Sequence, residues 1–157
     1  MSKQERYGAI LKKMAFPPFY FFAGIVLSPL CYLLFPTCNI VVFPFNLSGL
    51  LLMIVGLFLI IHYTVIFQRN KTTLLNEPPS SFITNGVFKY SRNPMYLGGL
   101  IFHVGLSLLT GNIIAFLIPV GFFAAINWIC IPYEEDIMLE TFQDEYHNYK
   151  KLVRRWL

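Results

Sequence analysis

Apolar and polar positions alternate along this chain in long blocks. Four runs carry no charged residue, and every Lys, Arg, Asp and Glu falls in the stretches that flank them. The first run, Phe16 to Phe35, is long enough to cross roughly 30 Å of hydrocarbon as a helix. Pro17 and Pro18 open it, and Pro29 is expected to kink it near its far end. After an uncharged loop, Pro36 to Asn46, the second run extends from Leu47 to Phe67, with Gly49 and Gly56 on one face where a neighbouring helix can approach closely. Lys71 to Asn85 lacks periodicity and reads as a structured loop. The third run, Pro94 to Thr110, is roughly 25 Å long as a helix, short for a span unless its ends are buried in protein. Thr110-Gly111-Asn112 then makes a tight turn into the fourth run, Ile113 to Ile131. Beyond Pro132, Met138, Phe142, Tyr146, Tyr149, Val153 and Trp156 recur at steps of three and four, the stripe of an amphipathic helix. By pattern alone this helix lies on a membrane face, its acidic start and basic end both suiting the helix dipole.

Composition names the solvent. With 56% hydrophobic and 13% charged residues, about half the usual charged fraction, water is the wrong medium for most of the surface. The net charge of +4 would hint at nucleic acid in a soluble chain, but its distribution points to a bilayer and away from nucleic acid. All twelve Lys and Arg form three blocks: Lys3 to Lys13, Arg69 to Arg92, and Lys150 to Arg155. Even numbers of crossings separate the blocks, so all three share one side, which the positive-inside rule assigns to the cytoplasm together with both termini. The expected fold is all-α: an integral membrane protein of four transmembrane helices, the third and fourth a tight hairpin, plus a cytoplasmic amphipathic helix. It is expected to be one domain over residues 1–157, with a two-helix part at 1–70 and a core at 71–157. The first run reads as a retained helix, since no small-residue cleavage site follows it. Cys31, Cys38 and Cys130 have no metal-ligand spacing, so no metal is expected.

The candidate chemistry sits at the cytoplasmic ends. Gly86 to Gly98 is a basic hinge at the mouth of the third helix. Its Asn93-Pro94 step is equally an ordinary helix start, Asn at the N-cap and Pro at the first turn. On the third helix Tyr96, Gly99 and His103 share a face. On the fourth, Asn127, Cys130 and Glu134 follow the same spacing toward the pair Glu134-Glu135. The hairpin brings these faces together, so they can line one pocket. His62 and His103 are ionisable groups within membrane helices, hence candidates for touching a ligand, although packing and interhelical hydrogen bonding account for such residues as well.

Three segments carry a family resemblance: Thr84-Asn85-Gly86-Val87-Phe88; Arg92-Asn93-Pro94-Met95-Tyr96-Leu97-Gly98; and Glu134-Glu135-Asp136-Ile137-Met138-Leu139 followed by Tyr146, Tyr149 and Arg155-Trp156. In order and spacing they resemble the isoprenylcysteine carboxyl methyltransferases and their bacterial relatives, over roughly Thr72 to Leu157. The resemblance implies an integral-membrane enzyme that uses S-adenosylmethionine to methylate a lipophilic or prenylated acceptor drawn from the surrounding membrane lipids. The cofactor would be held by Val87, Phe88, Lys89, Tyr90, Asn93, Tyr96, Glu134 and Glu135. Arg92 and Glu135 would act at the reacting centre, with Arg92, His62, His103 and Asn127 toward the acceptor. Arg92 suits an anionic acceptor because its planar fork matches a carboxylate or phosphate. Family members usually carry His where this chain has Asn93, which cannot take a proton near neutral pH. The Asn-Pro-Met-Tyr wording also resembles phospholipid N-methyltransferases. Two other readings stay open. Sterol reductases, much longer chains, share a similar core that binds NADPH, and a non-enzymatic scaffold would use the same clusters only to cap helices and snorkel. The short length resembles a minimal bacterial or archaeal form in the cell membrane; a eukaryotic one would reside in the endoplasmic reticulum.

Overall fold

The computed structural model describes residues 14–70 and 80–157. The basic block from Lys3 to Lys13, Lys71 and the first part of the expected loop lie outside these. Among the described residues the fold is all-α, with isolated bridges and no strand. Helix α1 runs Pro17–Leu34, started by prolines whose fixed φ suits a first turn, and it contains Pro29. Short 3-10 turns at Pro36–Cys38 and Phe45–Leu47 lead to α2, Ser48–Arg69. A 3-10 turn at Gly86–Lys89 precedes α3, Pro94–Thr110, which ends on Gly111 at φ 70°, a left-handed position that glycine adopts freely. A 3-10 turn, Ile114–Phe116, opens α4, Leu117–Ala125. A π-helical turn, Ile126–Cys130, then joins α4 to α5, Ile131–Leu152.

Among the described residues, three helical segments are long and apolar enough to cross a membrane: Pro17–Leu34, Phe45–Arg69 and Ile114–Leu152. The seventeen residues of α3 form a shorter apolar helix. It packs on α1, α2 and α4, and buries Tyr96, Phe102, His103 and Ser107, so its ends rest in protein. The seam with α2 is glycine-lined, as the spacing of Gly49 and Gly56 leads one to expect. A Cβ on Gly56 would stand 2.6 Å from the Gly98 carbonyl oxygen, and one on Gly105 2.6 Å from that of Gly49. Phe19, Phe22, Leu51, Ile54 and Phe58 point outward, where lipid is their natural solvent.

Polar side chains tie the bundle inside. The buried His103 ring stacks on Phe122 at 4.7 Å, with Nδ1 2.8 Å from the Gly99 carbonyl and Nε2 3.2 Å from that of Phe21 on α1. At the end away from the hinge, buried Asn112 donates to the Phe35 carbonyl and to Asn39 Oδ1, both at 2.8 Å. This closes the two loops expected there onto each other.

Two features depart from the simple periodic reading. The fourth run does not stop at Pro132; the helix passes through it as far as the kink at Gln143, and a further helical stretch leads to Leu152. A proline lacks an N–H and crowds the carbonyl four residues back, and the wider π turn just upstream accommodates both. The amphipathic stripe is also broken. Gln143 has φ 44° and ψ −118°, so α5 kinks there. Phe142, Tyr146 and Tyr149 then surround Phe82, with ring centres 5.2, 5.7 and 5.2 Å away. This part of the stripe covers the chain's own hinge approach.

Candidate functional site

The hinge is seated by one aromatic plug. Phe88 is buried between Tyr63 and Phe67 of α2, both rings edge-on at 5.7 Å, while its carbonyl accepts a 2.6 Å hydrogen bond from the Tyr149 hydroxyl. Val87, Lys89 and Tyr90 on either side are exposed. The chain then turns inward at fully buried Ser91, which forms a parallel bridge with Arg154.

Arg92 and Asn93 grip the segment that follows α5. The Arg92 amide donates to the Arg154 carbonyl at 3.0 Å, and its Nη1 donates to the carbonyls of Lys150 and Val153 at 3.0 and 2.8 Å. Asn93 occupies the N-cap position without capping α3; its Nδ2 donates to the Arg155 carbonyl at 3.0 Å. The ordinary helix-start role therefore belongs to Pro94, and the Asn amide is used elsewhere.

The adjacent carboxylates have different partners. Glu135 is buried and meets three cations: Arg92 Nη2 at 2.7 Å on Oε1, with Lys150 Nζ and Arg155 Nη2 both at 3.0 Å on Oε2. Burial works against its charge, but the hydrogen bonds from Arg155 and Lys150 and the Arg92 charge prevail, holding the carboxyl below the usual glutamate range. Glu134 accepts a short hydrogen bond from the Tyr96 hydroxyl on Oε1. Among the described residues nothing bonds its second oxygen. Burial raises the Glu134 carboxyl, the Tyr96 bond opposes this and the Glu135 charge adds to it, with the result pushed up to about 7. On Arg92, Nε is buried and has no hydrogen-bond partner among the described residues, an unused donor on a side chain only 10% exposed.

Tyr96 also lines an apolar cavity of about 280 Å³ between the helices, walled by Pro17, Phe21, Ile60, Thr64, Met95 and Phe122 among others. Thr64 donates its hydroxyl back to the Ile60 carbonyl, so the wall offers little to a polar guest.

The structure thus gathers Arg92, Asn93, Tyr96, Glu134 and Glu135 at one end of the bundle, with Val87 to Tyr90 alongside. Asn127, in the π turn, accepts from Trp156 Nε1 at 3.0 Å and from Arg155 Nη1 at 3.4 Å. His103 lies deeper, between two carbonyls. His62 is exposed on α2, stacked against Phe58 and edge-on to Tyr63, and does not line the cavity. The sequence reads Lys150 and Arg155 as a basic helix end, with Arg155-Trp156 also part of the resemblance, and assigns neither of them to Glu135. Their shared carboxylate gives no local signal, since the contacts join residues 15 and 20 positions apart across a kink. The cavity wall from α1 was likewise not anticipated.

The profile of the family described as phospholipid methyltransferase matches residues 45–145. A protein-S-isoprenylcysteine O-methyltransferase of Schizosaccharomyces pombe is 32% identical over 95 residues, 58% of this chain but 36% of that one. An uncharacterized protein of Haemophilus influenzae is 41% identical over 63 residues, 40% of this chain and 100% of its own length. The chain thus spans about a third of the yeast enzyme. No solved structure matches significantly. With its family profile covering well over half the residues, including α2, the hinge, α3 and both carboxylates, the chain belongs to the phospholipid methyltransferase family.

Proposed function

We propose that this protein is a membrane methyltransferase that uses S-adenosylmethionine and methylates the polar end of a lipophilic acceptor. One observation carries the reading. Tyr96 belongs both to an apolar cavity and, through its hydroxyl, to the charged cluster at Glu134. A lipid-like molecule has the same two-part character, a chain that seeks a dry cavity and a head that needs polar partners.

The unused groups suit the cofactor. Glu134 keeps an oxygen able to accept from its hydroxyl or amino groups, while Arg92 Nε is left for the acceptor. The exposed hinge backbone near Val87 and Tyr90 adds further polar positions for a nucleoside. Bound there, S-adenosylmethionine supplies a methyl group on a cationic sulfur. Glu134 serves as acceptor for the cofactor, whereas Glu135, saturated by three cations, organises the surrounding chain. Arg92 presents one donor to an anionic oxygen, Tyr96 forms the wall between the two compartments, and the apolar cavity excludes water from the acceptor's chain. With α2 ending in Arg69, α3 preceded by Lys89 and Arg92, and α5 ending in basic residues, this end faces the cytoplasm.

For the acceptor, the Arg92 donor favours a carboxylate, in keeping with the name of the yeast relative. A second reading, a phospholipid amine, is supported by the family description. Labelled methyl transfer in detergent, offered a prenylated cysteine analogue and total lipid extract separately, tests both. A base-labile product from the analogue is expected; base-stable label in lipid establishes the amine reading. Failure to bind S-adenosylhomocysteine, with binding of NADPH instead, overturns the methyltransferase reading in favour of a reductase.

A further inference from the structure

We infer that Glu135 and Asn93 are positioning residues that fasten the 150–156 segment across the hinge, so that this segment forms a structural wall of the methyl-transfer site. This rests on the function proposed above and assigns the two residues a role other than touching cofactor or acceptor.

The fastening is carbonyl by carbonyl. Four main-chain oxygens, those of Lys150, Val153, Arg154 and Arg155, are all taken by donors from two adjacent residues, Arg92 and Asn93. Such a reading of one segment's backbone fixes its path whatever its side chains are. Glu135 then binds the donors themselves. It pairs with Arg92 from the hinge, Lys150 from the end of α5 and Arg155 beyond it, so one carboxylate joins three stretches of chain. Asn127 completes the fastening by accepting from the Arg155 guanidinium and the Trp156 indole, and the Trp156 ring lies against Phe123 at 5.0 Å.

Ligand contact is a poor use of either residue. Both oxygens of Glu135 are engaged, and the Asn93 amide is spent on Arg155. Among the described residues, the groups beside them without a hydrogen-bond partner are the second Glu134 oxygen and the buried Arg92 Nε. Arg92 can aim Nε at a ligand only while its other nitrogens are held by Glu135 and by the fastened carbonyls. The guanidinium is thereby oriented by the same contacts that hold the segment. Loss of Glu135 or Asn93 should therefore loosen the segment first and weaken the site as a result.

Two measurements on the full-length protein in detergent test this. Hydrogen exchange is followed in peptides covering Ser91 to Asn93, where the Arg92 amide is protected by the Arg154 carbonyl, and in peptides covering the amide of Val153, which donates to Tyr149. Binding of S-adenosylhomocysteine is measured by calorimetry. Glu135→Gln and, as a milder variant outside the ion cluster, Asn93→Ala should each speed exchange at Arg92 about tenfold or more and weaken binding. Glu134→Gln should weaken binding with exchange at Arg92 unchanged. If Glu135→Gln and Asn93→Ala abolish binding while Arg92 exchange stays at the wild-type rate, both residues are ligands and the inference is overturned. If wild-type protein binds no S-adenosylhomocysteine, the proposed function fails, whereas the exchange comparison still decides whether these residues fasten the segment.

Discussion

Two seams hold this molecule together, and they do so by opposite means. Between α2 and α3 the side chains are removed: Gly49 and Gly56 face Gly98 and Gly105, and backbone meets backbone inside the membrane. Between the hinge and the 150–156 segment the backbones are drawn together by charge, through Arg92, Glu135, Lys150 and Arg155. The difference follows from the solvent. In hydrocarbon a cation without a partner is costly, and close van der Waals packing is the available attraction. At the polar end each ion can be paired and water is near, so a network can set a geometry that apolar contacts alone would leave loose. The first seam is a scaffold; the second places functional groups.

The comparison is broken most forcefully at its single shared carboxylate. Glu135→Gln leaves three cations around a neutral group, and cutting a buried ion network costs about 3–5 kcal/mol. The expected result is a marked fall in Tm in detergent, and an unchanged Tm would mean that solvent already screens the cluster. On the other seam, Gly56→Ala places a Cβ 2.6 Å from the Gly98 carbonyl and so forces the helices apart, at about 1–3 kcal/mol of overpacking. The Tm should fall less than with Glu135→Gln and be indifferent to salt; a salt-dependent loss would show that the two seams are not separate.

The finest distinction lies within the ionic seam, between neighbours. Glu135 is held below the ordinary glutamate range when folded, so its contribution is present above that range and lost as pH falls through it. Glu134 is raised to about 7, so the folded protein holds a proton there that the unfolded chain has released, and stability declines as pH rises from about 4.5 toward 7. Tm measured against pH should therefore have two limbs. Glu134→Gln should flatten the upper limb and Glu135→Gln the lower one; both variants flattening the same limb would refute the separation of roles.

Much of this arrangement is legible in the residues themselves. Uncharged runs mark the helices, the glycine spacing marks the α2–α3 seam, and the tight turn at Gly111 predicts that Arg92 and Tyr96 meet Glu134 and Glu135. What is not legible depends on register. Neighbouring residues point about 100° apart around a helix, and the residue that faces Tyr96 depends on the widened turn at Ile126–Cys130, which no Gly or Pro within it announces. The kink at Gln143 is equally unmarked, because glutamine is an uncommon residue at positive φ. It is held there by the aromatic packing around Phe82, which joins residues far apart in the chain. The use of Asn93 was obscured by its suitability for a common alternative, the helix cap.

The widened turn also sets a phase for everything downstream of it. One extra residue in a helical turn rotates the rest of the rod by about 100°, the angular gap between consecutive side chains. Tightening that turn to ordinary α-helix would advance every residue beyond it by one place, so Glu134 would move to the position among the three cations and Tyr133 would come to face Tyr96. The cation cluster would keep a carboxylate in either setting, but only the widened turn gives Tyr96 an acid partner.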